Sequence, residues 1–314
     1  MELKQINYFL MIAEQGSYAK AAEELALTQS ALTQSIARLE REVGTKLLHR
    51  GRYGASLTEA GSLLFTRAKL IAAEERLAHL ELQGYQDGSK GQVTIGAGKS
   101  VTQTLLPAAL MRFSQRCPDV TVTVLEGWSP ELYQKLLAGD LDFVISAAFP
   151  QVRVDPDLVQ EHLFNEFEFL VVGPKHPLFA KPAITLQDLA IYHWVMPPHG
   201  SGRVRQVQAQ YLNLGMDPPT RFIRTDSLPM LMGLLKHGPV VCFGTPELMA
   251  ERLEQTNFRF IDIPGFTEER RAAVTMRRRS RLHPAAASLV EDIRILSRQR
   301  PKPEEKLPVA GVKV

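Results

Sequence analysis

The sequence has few of the features that mark an exported, membrane-spanning or metal-binding protein. Only two cysteines occur among 314 residues, Cys117 and Cys242, and their wide separation argues against a disulfide framework. No segment approaches about 18 apolar residues free of charge, and Met1–Gln5 does not begin a signal peptide. No close His, Cys and Asp cluster predicts a metal site. We therefore expect a cytoplasmic protein without membrane spans, cofactors or metals.

The bulk composition fits a folded chain of about two domains, since roughly 150 residues make one domain. The hydrophobic fraction of 45% is sufficient for packed cores. The net charge of +3 is too small to identify a nucleic-acid partner, because partners follow from local patches rather than from totals.

The stretch from Ser17 to Leu57 has the pattern of two short helices followed by a hairpin. Ser17 and Thr28 can each cap a helix, because a hydroxyl satisfies one free amide of the first turn. In the second helix, apolar residues at spacings of four, three and four predict one buried stripe. These residues are Leu32, Ile36, Leu39 and Val43. The pattern predicts a helix-turn-helix.

The opposite face of the second helix carries small, amide and guanidinium side chains, which suit base edges and phosphates in a major groove. After Gly44, two short apolar runs surround a tip containing Gly51 and Gly54, which predicts a β-hairpin wing. Between Thr28 and Ser56, five cations face two carboxylates. The candidate DNA-binding residues are Thr28, Gln29, Ser30, Thr33, Gln34, Arg38, Arg50 and Arg52.

These motifs resemble those of the LysR-type transcriptional regulators of bacteria. The matching stretches are Ala21-Ala22, Thr28–Ile36, Leu39-Glu40, Leu47–Arg50 and Leu57–Gly61. At Ser30 the sequence departs from the family, which usually has proline in the first turn of the recognition helix. The resemblance implies a winged helix-turn-helix, a dimerising linker helix and an effector domain similar to periplasmic binding proteins.

After the wing, the sequence predicts a long helix from about Ser62 to Leu82 without proline or glycine breaks. Leu63, Leu70 and Leu77 recur at intervals of seven, which is typical of a helical pairing seam. A second apolar row widens the face, and a single small domain cannot cover both rows. The polar, glycine-rich stretch from Gln83 to Gly91 predicts a hinge.

Beyond the hinge, short β-branched runs alternate with helical runs, which is typical of a parallel α/β sheet. The predicted strands begin near residues 92, 121, 142, 167, 194, 223, 240, 258 and 273, with helices between most of them. The resemblance implies two subdomains and two chain crossings, near Leu163 and Pro264. The fold class is therefore α/β overall, with an N-terminal all-α winged helix-turn-helix, a linker helix and a C-terminal two-subdomain α/β domain.

The predicted domain bounds follow from these patterns. Residues 1–57 form the DNA-binding domain, 58–90 the linker helix and hinge, and 91–297 the regulatory domain. Within the latter, subdomain I takes 91–162 and 265–297, and subdomain II takes 163–264. The tail, 298–314, is predicted to be disordered because it is rich in proline, lysine and glutamate.

Two loops that join strands to helices are predicted to face a small-molecule cleft. Gly96–Thr102 directs backbone amides to the space above the strand ends, which suits an anion, although it matches neither a Walker A loop nor a dinucleotide fingerprint. His199–Arg203 is similar, and Arg203 could clamp a carboxylate. In the LysR family, such loops line the effector cavity. The candidate effector-binding residues are Lys99, Ser100, Val101, Thr102, Trp128, Ser129, Ala147, Ser201, Gly202, Arg203, Thr225, Asp226 and Phe243.

The expected function is sequence-specific regulation of transcription in response to a small molecule. The expected partners are double-stranded DNA, a small polar or anionic metabolite, further copies of the chain as a homodimer and homotetramer, and RNA polymerase. A two-lobed α/β enzyme or solute-binding protein stays open as the alternative, with Ser100, His199 or Cys242 as nucleophile or base. The sequence contains no nucleophile elbow and no acid and base at a recognisable spacing.

Overall fold

The structure, a computed structural model, describes residues 1–51, 54–87, 90–149, 154–198, 202–253, 258–300 and 310–311. Within these ranges, no helix combines the length and apolar character that crossing a membrane requires.

The N-terminal part is a three-helix domain with a two-stranded wing and a long following helix. The elements are α1 (Leu3–Gln15), α2 (Tyr18–Glu24), α3 (Gln29–Val43), β1 (Leu48–Gly51), β2 (Gly54–Leu57) and α4 (Glu59–Asp87). Their shared core contains buried Phe9, Ile12, Leu32, Ile36 and Leu39. Val43 was predicted to join the buried stripe, but it is exposed because it lies in the last turn of α3, beside the Gly44 cap.

The linker helix is longer than the sequence predicts. It spans 29 residues, about 43 Å at 1.5 Å per residue, and continues through residues 83–87, which were predicted to be hinge. The interpretation of those five positions was wrong, because one glycine costs a long helix only about 1 kcal/mol. Residues 88–89 lie outside the described residues, and the next strand begins at Lys90.

The C-terminal part alternates strands and helices. Its first half contains β3 (Lys90–Ala97), α5 (Lys99–Thr104), α6 (Leu106–Arg116), β4 (Asp119–Glu126), α7 (Ser129–Leu137) and β5 (Phe143–Ala148). Its second half contains β6 (Leu158–Val172), α8 (Leu186–Ala190), β7 (His193–Met196), α9 (Arg203–Asn213), β8 (Phe222–Arg224), α10 (Leu228–His237), β9 (Val240–Gly244), α11 (Pro246–Leu253) and β10 (Arg259–Asp262). Then follow β11 (Glu268–Arg277), α12 (Pro284–Arg298) and β12 (Ala310–Gly311).

The described strands of the C-terminal part form a mixed sheet in the order β4-β3-β5-β11-β6-β9-β7-β8, with β10 beside β6. Strands β3, β4 and β5 are parallel to one another, as are β7, β8 and β9, but β11 runs antiparallel to β5 and β6, and β6 runs antiparallel to β9 and β10. The prediction of a parallel sheet therefore holds only within these two groups of three strands. The antiparallel ribbon of β6 and β11 connects them.

Two hydrophobic cores flank this ribbon. One packs β3 and β5 against α6 and α12, around Phe113, Phe143 and Ile293. The other packs β7 and β9 against α8 and α9, around Trp194, Tyr211 and Val241. We refer to these halves as subdomains I and II. The domain bounds given above stay predictions.

Several elements differ from the sequence prediction. Strand β6 begins at Leu158 rather than Phe167, because its charged residues are paired; the carboxylate of Glu161, for example, bonds to Arg294. The short helices α5, α8 and α11 were not predicted. In the tail, Ala310–Gly311 pairs in parallel with β10, which disagrees with disorder at those two residues. Residues 301–309 and 312–314 lie outside the described residues.

Candidate DNA-binding surface and effector junction

Helix α3 begins and packs as its sequence dictates. The Thr28 hydroxyl accepts a hydrogen bond from the Ala31 N–H at 3.2 Å, and Ser17 caps α2 in the same way through the Lys20 N–H. With Leu32, Ile36 and Leu39 buried, the opposite face is left to solvent. Of the candidate DNA-binding residues in α3 and its cap, Thr33 is half-buried, and the exposed ones are Thr28, Gln29, Ser30, Gln34 and Arg38.

The wing is anchored to α3 by a carboxylate. Glu40 Oε1 accepts hydrogen bonds from the N–H groups of Leu47 and Leu48 at 3.0 and 3.3 Å, and Glu40 Oε2 accepts one from Lys46 Nζ at 2.6 Å. Burial by itself would raise the pKa of Glu40, but these hydrogen bonds outweigh it and hold the pKa below its usual value. Lys46 is one of the five cations counted between Thr28 and Ser56, and the sequence analysis overlooked its pairing with Glu40.

Arg50 and Arg52 are the two predicted DNA-binding residues of the wing. Arg52 lies outside the described residues, and the side chain of Arg50 is likewise not described. The hairpin itself pairs Leu48 with Leu57 and Gly51 with Gly54. The Ala55 N–H donates to the Gly16 carbonyl at 2.7 Å, which fixes the wing to the turn between α1 and α2. The described backbone therefore fixes the strands of the wing, and the contacts of the two arginines stay predictions.

The candidate effector-binding residues differ in burial. Ser100, Val101, Ala147 and Arg203 are buried, and Phe243 in β9 is half-buried and in contact with Arg203. Lys99 and Thr102 lie in the same short helix as Ser100 and are half-buried, while Gly202 caps α9 at a φ of 70°. Trp128 and Ser129 begin α7, and Thr225 and Asp226 follow β8. Ser201 lies outside the described residues.

Arg203 is held by side chains of the chain itself. Its guanidinium donates to Glu268 Oε2 and Gln206 Oε1 at 2.9 and 2.8 Å, and also to Glu168 Oε2. It lies 3.7 Å from the ring centroid of Phe243. The sequence predicted that Arg203 clamps a carboxylate of the effector. Two internal carboxylates already bind the guanidinium, so an effector carboxylate would have to compete with them, and the effector contact stays a prediction.

A second arginine, Arg270 on β11, extends this network. It donates to Glu168 Oε1 at 3.1 Å and to the Ala147 carbonyl at 2.8 Å, and its Nε lies 3.4 Å from Glu166 Oε1. The residues Glu166, Glu168, Arg203, Glu268 and Arg270 therefore form one connected set, which we call the junction network. It connects the crossing strands to α9 of subdomain II.

The sequence analysis missed four of these five residues. The antiparallel register places Glu168 opposite Glu268 and Glu166 opposite Arg270. The available signal was charge at alternate positions, Glu166 with Glu168 and Glu268 with Arg270, because period two places such pairs on one face of a strand. Charges of this kind inside a strand are costly unless paired, so they indicate a buried network.

Cys242 is poorly suited to act as a catalytic nucleophile. Its thiol is almost fully buried in β9, and burial raises its pKa, so it stays protonated. Within the described part of the chain, no group of three or more His, Cys, Asp or Glu residues is arranged to hold a metal ion.

Comparison with known proteins agrees with the fold of both the N-terminal and the C-terminal part of the chain. Residues 3–62 match "Bacterial regulatory helix-turn-helix protein, lysR family", and residues 86–295 match "LysR substrate binding domain". The SDS degradation transcriptional activation protein of Pseudomonas sp. is 29% identical over 293 residues, covering 92% of this chain and 94% of that protein. The transcriptional regulator GbpR of Rhizobium radiobacter is 32% identical over 236 residues, covering 74% and 78%.

A solved structure shares the fold over nearly the full length. Full-length CbnR in complex with its target DNA superposes with a TM-score of 0.64 at 23% identity, covering 94% of this chain and 99% of that one. The matching family consists of transcriptional regulators rather than enzymes, which removes the enzyme alternative. The chain belongs to the LysR family and is a LysR-type DNA-binding transcriptional regulator with a helix-turn-helix domain and an effector-binding domain.

Proposed function

We propose that the chain acts as a homodimer assembling to a homotetramer, in which α4 pairs with α4 of a second copy. The observation that carries this proposal is the two-sided apolar face of α4. Leu64, Ala68 and Ile71 pack on the N-terminal core, whereas Leu63 is 72% exposed. In the same predicted seam Leu70 is half-buried, and the side chain of Leu77 is not described. A second copy would cover Leu63 and place two α3 helices on neighbouring half-sites of duplex DNA. Full-length CbnR, which shares this fold, was solved in complex with its target DNA, which supports duplex DNA as the partner.

We further propose that a small polar effector binds at the junction between subdomains I and II. Buried charged and hydroxyl groups from both subdomains meet there, and a polar ligand can satisfy such groups where a hydrocarbon cannot. The sequence also suggested an anionic effector. Such an effector has less support, because Arg203 and Arg270 are already paired with carboxylates of the chain. Duplex DNA and RNA polymerase are the macromolecular partners we propose, with the cytoplasm as the location.

A contact between α4 and the effector domain offers a route for the response. Lys69 Nζ lies 3.1 Å from Asp140 Oδ1 and 3.7 Å from Glu14 Oε1 of α1. Gly139 has a φ of 81°, and a Cβ there would lie 2.4 Å from Ala73 Cβ. An effector that favours one arrangement of subdomains would shift α4 and, through it, the spacing of the paired α3 helices, provided that it binds that arrangement more tightly.

Selection of bound duplexes from a random-sequence DNA pool tests the proposal. The full chain is expected to enrich one palindrome-like sequence and to bind it with strong salt dependence, because cations of the domain displace counterions from phosphates. A chain lacking residues 1–57 should enrich nothing. Enrichment by the truncated chain would mean that α3 and the wing do not recognise the DNA sequence. Sedimentation of the chain as a monomer with the selected duplex would contradict the proposed dimer.

Substitutions on the exposed face of α3 should separate phosphate contacts from base contacts. Arg38→Ala is expected to weaken binding to all duplexes about equally and to reduce the salt slope by about 1, because one phosphate contact is lost. Gln29→Ala should instead cost about 1–3 kcal/mol at one base position and relax the preference there. Gel shifts on the selected duplex and its single-base variants measure both effects. Lys236→Ala, an exposed cation on α10, is the control and should change neither.

A further inference from the structure

An open cavity lies where the DNA-binding domain, the linker helix and subdomain I meet. Its volume is about 290 Å³. One face of α1, the residue after α2, one side of α4 and the turn between α7 and β5 line it. We call this space the linker cavity.

Most of the lining of the linker cavity is apolar. Leu10 and Met11 of α1, Leu25 after α2 and Ala72 of α4 contribute to it, and all four pack in the N-terminal core. Met11, Leu25 and Ala72 are only half-buried, since the small side chain of Ala72 does not fill the space between α1 and α4. An engineered apolar cavity of about 150 Å³ binds one benzene molecule. The linker cavity therefore has room for one aromatic ring with a short chain.

The charged residues of the lining are Glu14, Lys69 and Asp140. Lys69 Nζ lies 3.1 Å from both carboxylate oxygens of Asp140 and 3.7 Å from Glu14 Oε1. The last distance is too long for a hydrogen bond, and the side chain of Glu14 is 48% exposed. One ammonium group thus faces two carboxylates, and the Glu14 carboxylate can accept a hydrogen bond from a cationic ligand.

The linker cavity and the predicted pairing seam lie on different faces of α4. Each residue advances an α-helix by about 100°, because 3.6 residues complete one turn. Lys69 and Ala72 therefore lie about 100° and about 160° around α4 from Leu70 of the seam. Pairing of two α4 helices along the seam leaves the cavity to another occupant.

The linker cavity is also separate from the junction between subdomains I and II. Asp140 precedes strand β5, whereas Ala147, whose carbonyl accepts from Arg270 of the junction network, lies near the end of that strand. From Phe143 to Ala147 the strand covers about 13 Å at about 3.3 Å per residue. A ligand in the cavity is therefore distinct from an effector at the junction.

We propose that the linker cavity is a second ligand site, which binds a small amphipathic amine. An aromatic ring, or an aliphatic group of similar size, packs on Met11 and Ala72, and the ammonium group points to Glu14. Burial of the ring removes apolar surface from water, and the ammonium group offsets the excess carboxylate through a charge-assisted hydrogen bond. Such a ligand contacts the DNA-binding domain, α4 and the turn at Asp140 together. Its binding therefore favours the arrangement in which these three parts are in contact.

Methyl NMR of the full chain, with ¹³C in the methionine methyl groups, tests the site directly, because Met11 lines the cavity. The chain contains nine methionines, and Met11→Leu assigns the signal of Met11. Phenethylamine is expected to shift this signal saturably with a Kd of about 1 mM, as suits a ligand of this size. The signal of Met230, which is 49% exposed on α10, should stay unchanged.

Two further probes test the proposed charge of the ligand. 2-Phenylethanol keeps the ring but carries no charge, and it should bind about threefold more weakly than phenethylamine, because exposed ion pairs contribute little. 3-Phenylpropanoate carries a carboxylate and should bind more weakly than the alcohol. Both affinities are read from the Met11 signal at constant ionic strength.

Substitutions locate the ring and the ammonium group. Ala72→Leu fills the cavity, so it should weaken phenethylamine binding by at least about tenfold and raise the Tm without probe. Ala78→Leu, the same change at an exposed position of α4, is the matched control and should keep the affinity. Glu14→Gln should weaken phenethylamine binding about threefold and leave that of 2-phenylethanol unchanged. If Ala72→Leu fails to fold, Glu14→Gln at its exposed position still decides the outcome.

Several results would overturn the inference. These are an unchanged Met11 signal, an equal shift in folded Ala72→Leu, equal shifts at Met11 and Met230, or tighter binding of 3-phenylpropanoate than of phenethylamine. A Met11 signal that depends on protein concentration without any probe would assign the cavity to a second copy of the chain instead. The DNA selection described above is independent of these results, because the cavity lies outside α3 and the wing.

Discussion

Replacing Arg203 by alanine is expected to lower the stability of the effector domain by about 3–5 kcal/mol, because removal of one partner leaves buried charges uncompensated. The side chain of Arg203 is 7% exposed, and its guanidinium binds Glu168 and Glu268, which come from the two crossing strands. Without it, two carboxylates with low exposure face each other in the sheet register. The urea midpoint of the effector-domain transition measures the loss.

Two further variants decide whether the loss comes from the guanidinium itself. Arg203→Lys keeps the charge but cannot bind two carboxylates through one planar group, so its stability should lie between those of wild type and Arg203→Ala. Arg205→Ala, an exposed arginine on the same helix, should have little effect. If Arg203→Ala unfolds at the wild-type urea midpoint, the ion pairs contribute nothing to folding. Direct recognition of an effector by Arg203, as the sequence suggested, would then regain support.

Replacing Glu40 by alanine is expected to destabilise the DNA-binding domain by about 2–4 kcal/mol, because the buried N–H groups of Leu47 and Leu48 lose their acceptor. These groups lie where α3 meets the wing, so the hairpin should lose its fixed orientation. DNA affinity should then fall for all sequences alike. Gel shifts and thermal unfolding measure the two effects.

Glu42→Ala is the control for this position, since Glu42 is exposed on the same helix. It should leave both readouts close to wild type.

The stabilising effect of Glu40 should depend on pH. Because the pKa of Glu40 is lowered in the folded protein, its contribution to the free energy of unfolding is fully present above the usual carboxyl pKa and is lost as the pH falls through the lowered value. The stability difference between wild type and Glu40→Ala should therefore shrink on acidification. A difference that grows at about pH 4 would contradict this account.

The N-terminal half could be predicted in detail because its signals are local. A hydroxyl at Ser17 or Thr28 acts within its own first turn, and the spacing of Leu32, Ile36 and Leu39 acts within one helix. Where the prediction failed, the cause was also local. Gly84 favoured a hinge, but the structure continues α4 past it, and Val43 fell at the exposed end of its helix.

The effector half was predicted less fully, and α8 shows why some errors were avoidable. Thr185 and Asp188 form a reciprocal capping box, which is a readable sequence signal that the analysis passed over. The strand predicted at the position of β6 was too short for a different reason. Its charges looked unsuitable for a buried strand, and only the packing of Arg270 and Arg294 against them makes the strand stable.

By itself, the sequence determined the family, the winged helix-turn-helix and the loops that approach the junction, because motifs and helix caps depend on neighbouring residues. Tertiary structure decided the charge of that junction. Glu168 and Glu268 lie 100 positions apart and meet only through the antiparallel register of β6 and β11, and Arg203 reaches them from a third element. The alternating charges of each strand indicate a buried network, but neither segment shows which strand its partner is. The sequence therefore suggested a clamp for an anion where the folded chain holds Arg203 between two of its own carboxylates.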